Sequence, residues 1–247
     1  MKNTQTSFML AGYKILPALF ISTIFISTIV FAKQGNPKKL FSYEPANAVV
    51  SWVDAKGIHS GSLSIFNSTA DKKTVYSINL QGRGITKLVL RSDLPNLRAL
   101  NYIGNSVTVA PNTSGCPHLG TLYFDDNLIV NPPDISTLSE LRNYSGNNNP
   151  FPANTRLDTS HNLLLSTFQA YGTKVNMIDI SNNRELLSMD FGGNPFTSNL
   201  VDEILHQLVM HGKTGGSLAL YGTAKPSEAA GDDIATLLSR GWEMQLD

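Results

Sequence analysis

The frame L-x-x-L-x-L-x-x-N recurs along the middle of this 247-residue chain, and it constrains the fold more than any other feature. It is clearest where Val175, Ile178, Ile180 and Asn183 fill one copy and Leu186, Met189, Phe191 and Asn194 the next. Upstream it recurs at Leu97, Leu100, Tyr102 and Asn105, and again at Leu119, Leu122, Phe124 and Asn127. Val75, Ile78 and Leu80 begin a copy in which Arg83 takes the asparagine slot. Leu138 and Leu141 start another, whose register slips before Asn147. Apolar residues that alternate with others along a strand face one side of it. One coil cannot bury such a face alone, so successive coils must stack around a shared core. The asparagine falls where the chain leaves the sheet, and its amide can bond turn groups that the ladder leaves over. That role accounts for 22 asparagines without catalysis.

Two interleaved series of extended centres are expected: Tyr102, Phe124, Tyr144, Ala170 and Phe191, and half a repeat away Leu90, Ile135, Thr159 and Ile180. Tyr102 to Phe124 is 22 residues, and both Ala170 to Phe191 and Thr159 to Ile180 are 21. The expected fold is an α/β solenoid with two short extended segments per coil and few helices.

Asp134-Ile-Ser136, Leu157-Asp-Thr-Ser160 and Ile178-Asp-Ile-Ser181 alternate with halves that carry Tyr102, Phe124 and Phe191 before an asparagine. This alternation resembles the leucine-rich repeats of about 21 residues in bacterial surface proteins and tailed-phage structural proteins. The aromatics stand where that family often has cysteine. The resemblance covers residues 75–198 and implies a binding protein rather than an enzyme. Pro132-Pro133 and Pro150-Phe-Pro152 depart from the family pattern.

Beyond the repeats, 199–247 reads as a helix-strand-helix-strand cap. Leu200, Ile204, Leu205 and Leu208 have helical spacing, and Gly212 ends that helix. Ser217–Tyr221 reads as a strand, 226–240 as a helix and Trp242–Leu246 as a last strand, a βαβ-like unit that closes the stack. Its sequence also resembles the cap of phage and bacterial proteins of this class. Before the repeats, 33–74 reads as an N-terminal β capping segment, with strands at Val49–Val53 and Ser62–Phe66.

Ile15–Ala32 contains no charge, follows Lys2 and Lys14, and ends with small residues at Val30 and Ala32. Residues 1–32 therefore read as a secretory signal peptide or as an uncleaved membrane anchor. Either places the rest outside the cytoplasm, secreted or at a cell surface. Without residues 1–32, 17 basic residues face 19 acidic ones, a balance unsuited to nucleic acid. One cysteine, Cys116, excludes an intrachain disulfide framework.

None of the five histidines lies in a metal-binding motif. No catalytic residue, metal or cofactor is expected. Asp125-Asp126 is more simply a solvated turn than a cation site. The remaining candidates lie on the outward sheet face: Asn101, Tyr123, Asp125, Arg142, Gln169, Tyr171 and Asp190. Tyr and Arg are frequent in interface hot spots. The expected function is recognition or adhesion, with a protein or polysaccharide surface ligand bound through this face. The alternative is a structural or host-attachment component of a phage particle or cell envelope.

Overall fold

The computed structural model describes residues 41–44, 49–71, 73–90 and 94–247, without the side chains of 41–44 and 63–64. The signal or anchor segment lies outside the described residues.

The chain forms a leucine-rich-repeat solenoid around a ten-stranded sheet. Six parallel strands carry the repeats: β4 (Ser77–Asn79), β6 (Ala99–Asn101), β7 (Thr121–Tyr123), β8 (Asn143–Ser145), β10 (Thr167–Gln169) and β12 (Ser188–Asp190). Their central residues Ile78, Leu100, Leu122, Tyr144, Phe168 and Met189 pair in register, at steps of 22, 22, 22, 24 and 21 residues. All six point inward and are buried.

The strand centres therefore fall two residues before the expected ones, except at Tyr144. Tyr102, Phe124, Ala170 and Phe191 form the next inward row, and Gly146 is their counterpart in the coil of Tyr144. A Cβ on Gly146 would lie 2.4 Å from Phe124 Cζ, so the Phe124 ring fills the space of the missing side chain. Rings stack through the core from Tyr102 to Phe124 (5.9 Å), Tyr144 (5.2 Å), Phe168 (5.5 Å) and Phe191 (4.8 Å).

The asparagines form a buried ladder at the sheet exit. Asn127 Nδ2 donates to the carbonyls of Phe124 and Asp125 in its own coil and of Tyr102 in the previous one. Its Oδ1 accepts the Val107 N–H. Asn105 and Asn149 repeat this pattern towards Ile85 and Ile129, and Asn194 accepts from Val175. The slot in the coil of Tyr144 is thus Asn149, not Asn147, and there is no register slip. Thr173 and Thr223 occupy two later slots. The N–H groups that asparagines there would accept, of Phe151 and Phe196, already bond Asn149 O and Asn194 O within Asn-Pro-Phe turns. A threonine suffices, donating to Ala170 O or Leu220 O.

On the opposite wall, among the described residues, only β9 (Thr155–Asp158) and β11 (Val175–Asp179) pair coil to coil as parallel strands. In earlier coils Pro132, Pro133 and Pro111 occupy the matching positions and remove the N–H groups a ladder needs. Those coils reach the same turn without a strand before it, through Asn112 and Asp134, whose side chains accept the N–H two residues on, as Asp158 and Asp179 do at the ends of β9 and β11. Ile135 is therefore buried in a turn, not a strand. Leu90 belongs to β5 (Lys87–Leu90), which pairs antiparallel with β1 (Phe41–Glu44).

At the first end, β2 (Val50–Asp54) and β3 (Gly57–Gly61) form a hairpin whose β2 adds antiparallel to β4. Asp54, buried, accepts the Lys56 N–H and pairs with His59 at 2.8 Å, and His59 stacks on Trp52. Ser62–Phe66 is not a strand. Helix α1 (Leu63–Thr69) covers it, and the buried residues Phe66 and Ala70 are four apart, a helical interval. Over so short a run, periodicity does not separate strand from helix. At the last end, α2 (Ser198–His211) and α3 (Gly231–Ser239) connect β12 to β13 (Ser217–Ala219) and β13 to β14 (Glu243–Gln245), all parallel. Thr197 caps α2, and Gly212 ends it at φ 74°. Val201, Ile204, Leu205 and Leu208 extend the repeat core.

Candidate functional site

Since inward residues are fixed at every second position, outward ones also align into rows across the coils. One row runs Asn79, Asn101, Tyr123, Ser145, Gln169 and Asp190. The next, nearer the strand exits, runs Gln81, Ile103, Asp125, Asn147, Tyr171 and Gly192, then Tyr221 in the cap. A row on the entry side holds Ser77, Ala99, Thr121, Asn143, Thr167 and Ser188.

Six of the seven residues expected on this face are there. Asn101, Tyr123, Gln169 and Asp190 share one row, and Asp125 and Tyr171 the next. Arg142 is displaced: it precedes β8, level with Gly120 and, beyond it, Arg98. Ser145 stands where Arg142 was expected, because the copy starts at Leu141 and not at Leu138, which moves its outward position three residues on. Arg98 pairs with Glu140 at 3.4 Å, and His118 pairs with it at 2.6 Å, which holds the Glu140 carboxyl below its usual range.

The middle of the face is a connected polar network. Ser145 Oγ lies 2.6 Å from Asp125 Oδ1 and 3.3 Å from Gln169 Oε1, and it accepts from Asn147 Nδ2. The Asn147 N–H donates to Asp125 Oδ1 at 2.7 Å, and Asn147 Oδ1 accepts the Tyr171 N–H. Burial pushes the Asp125 carboxyl above its ordinary range, against the lowering effect of the Ser145 and Asn147 donors. Tyr123 is raised by burial and by Asp125. This network fixes the face geometry before any partner arrives. Asp125 is thereby committed to Ser145 and Asn147. Among the described residues no cluster of three His, Cys, Asp or Glu can hold a metal ion.

At the far end, Tyr171 and Tyr221 flank Gly192 with ring centres 5.8 Å apart. Tyr221, Ser145 and Asn147 are among the face residues that sequence reasoning missed. The signal for Tyr221 was its place in the first cap strand, opposite Gly192-Gly193. Cys116 is buried in the core, its thiol pushed up to about 11 by burial. His161 is exposed in a repeat turn beside Ser160.

No family model matches this sequence, and no curated relative does. Among solved structures, the chain is similar to the functional domain of InlJ from Listeria monocytogenes. The identity is 16%, over 77% of this chain and 43% of that one, with a TM-score of 0.47. It is also similar to an internalin, InlF, from Listeria monocytogenes, at 17% identity over 74% of this chain and 66% of that one, with a TM-score of 0.44. The chain thus spans less than half of the InlJ chain.

Proposed function

We propose that this chain is a non-enzymatic recognition module that works outside the cytoplasm and binds a surface partner through the outward face of its sheet. The carrying observation is the contrast between that face and the interior. Inside, the polar ladder is spent on the backbone. Outside, Tyr123, Asn147, Gln169, Tyr171 and Asp190 are half-exposed and rigidly spaced, and Asn147, Gln169 and Tyr171 are linked across coils through Asp125 and Ser145. A preorganised face of this kind loses little freedom on binding, which favours recognition. The uncharged run 15–32 supports export or anchoring.

The test is capture on arrays of cell-surface proteins and polysaccharides, with Tyr123→Ala and Gln169→Ala beside the wild type. Retention of a partner that either variant weakens supports the reading. Retention of nothing, or capture that both variants leave intact, removes it. Recovery of the chain as a stoichiometric part of purified virus particles would favour the structural alternative.

A further inference from the structure

The end of the face near β12 and β13 differs from the rest. Gly192 lies between Tyr171 and Tyr221 in its row, and a Cβ there would lie 2.6 Å from Tyr221 Cζ. The glycine is therefore what admits the Tyr221 ring, which meets Tyr171 at an angle of 39°. Two residues before Gly192 is Asp190, half-buried. Its Oδ1 accepts the Gly192 N–H at 3.1 Å. Its other carboxylate oxygen has no donor among the described residues. Burial raises this carboxyl above its usual range, and burial, Asp190 and Tyr171 push the Tyr221 phenol up to about 12. Tyr221 is thus neutral, with the electron-rich ring face of an unionised phenol.

Charge identifies what this end of the face accepts. The three rows, followed through β13 and β14 to the chain end, contain Asp125, Asp190, Glu243 and Asp247 and no lysine or arginine. Two ring faces and an unsatisfied carboxylate oxygen, with no internal cation to neutralise them, complement a positive group. We infer that Tyr171, Tyr221 and Asp190 form a receptor for an arginine or lysine side chain of a basic protein partner. This rests on the face being the binding surface. It adds the partner's chemistry and the place of its anchor. The rings hold the cation by their quadrupoles, and the free Asp190 oxygen accepts one of its N–H groups.

The full chain is titrated with a tetra-arginine peptide, with tetra-glutamate and maltotetraose alongside. Saturable, salt-weakened binding of tetra-arginine alone is expected. Asp190→Asn, and Tyr171→Leu combined with Tyr221→Leu, each weaken it by about tenfold or more, and His161→Ala, in an exposed turn outside the three rows, leaves it unchanged. The amide oxygen introduced by Asp190→Asn still accepts the Gly192 N–H, so the circular dichroism and melting temperature of that variant match the wild type. The inference is overturned if tetra-arginine does not bind, if Asp190→Asn binds it as well as the wild type, or if maltotetraose binds instead. If arrays show a partner lost with Tyr123→Ala but kept with Asp190→Asn, this receptor fails and the face remains the binding surface. If all these variants keep the partner, the face reading itself fails.

Discussion

On the inner face of the sheet, the row at the strand centres repeats one chemistry: Ile78, Leu100, Leu122, Tyr144, Phe168 and Met189 are all large and buried. On the outer face the same strands present Asn79, Asn101, Tyr123, Ser145, Gln169 and Asp190, six positions with five residue types. Both rows have the same spacing and the same hydrogen-bonded ladder. Burial imposes uniformity inside, because each coil must fit its neighbours' side chains. No such constraint acts outside, so variation there carries chemistry specific to this chain. If this division is real, inner substitutions are felt in stability and outer ones in binding.

Phe124→Ala is the strongest attempt to break it. The ring is fully buried between Tyr102 and Tyr144 and fills the gap over Gly146. Its removal should cost about 3–5 kcal/mol in urea unfolding, and a loss within experimental error would show the inner rows to be wrongly assigned. Gly146→Ala attacks the same contact from the other side. Overpacking should cost about 1–3 kcal/mol. Adding Phe124→Leu should recover part of that loss, because the two positions are coupled.

The same pair shows how far the sequence was legible. The frame, the inward residues and the turn role of asparagine were readable wherever a coil had a large residue in each apolar slot. They were not readable at Asn147-Asn148-Asn149, where three candidates compete for one slot and a glycine occupies the aromatic position. Only the neighbour's ring resolves that choice, and the ring is remote in sequence. The displaced Arg142 follows directly from it. The Tyr171–Tyr221 pair was hidden for a related reason. Its members are 50 positions apart, and the loop and helix between them conceal that β13 continues the row. Helix α1 escaped because seven residues are too few to show a period.

Asn149→Ala sharpens the comparison, since it removes a polar group that belongs to the inside. The variant leaves the Ile129 N–H and the Phe124 and Gly146 carbonyls without their amide partner. The expected loss is about 1–3 kcal/mol. Thr173→Ala should cost less, because the Phe151 N–H is paired within its own turn. Equal losses at the two sites would show that the Asn-Pro-Phe turns do not decide which residue fills the slot.

Asp125 tests the boundary, being an outward residue that is nonetheless buried. Its folded carboxyl titrates above the ordinary value, so the folded state holds its proton more tightly than the unfolded chain does. The resulting stabilisation is complete below the unfolded value and is lost as pH rises through the folded one. Asp134, Asp158 and Asp179, each lowered by the N–H two residues on, act in the opposite direction. The difference between wild type and Asp125→Asn isolates the one group. An asparagine side chain at this position still offers an oxygen to Ser145 and to the Asn147 N–H. Melting curves from acid to neutral pH should therefore show the variant gaining on the wild type as pH rises. A constant difference would mean that Asp125 is not held in a desolvated site.

Tyr221→Leu should have the smallest effect on stability. The ring is 37% exposed at the edge of the face, and leucine retains apolar cover over Gly192. The change in unfolding free energy should stay within about 0.5 kcal/mol, measured beside Phe124→Ala under the same conditions. Both residues are aromatic, and both lie against a glycine of the neighbouring coil. Only the side of the strand differs. Comparable losses would mean that the outer face contributes to the packing of the solenoid, and its variety would then no longer mark a surface free to recognise a partner.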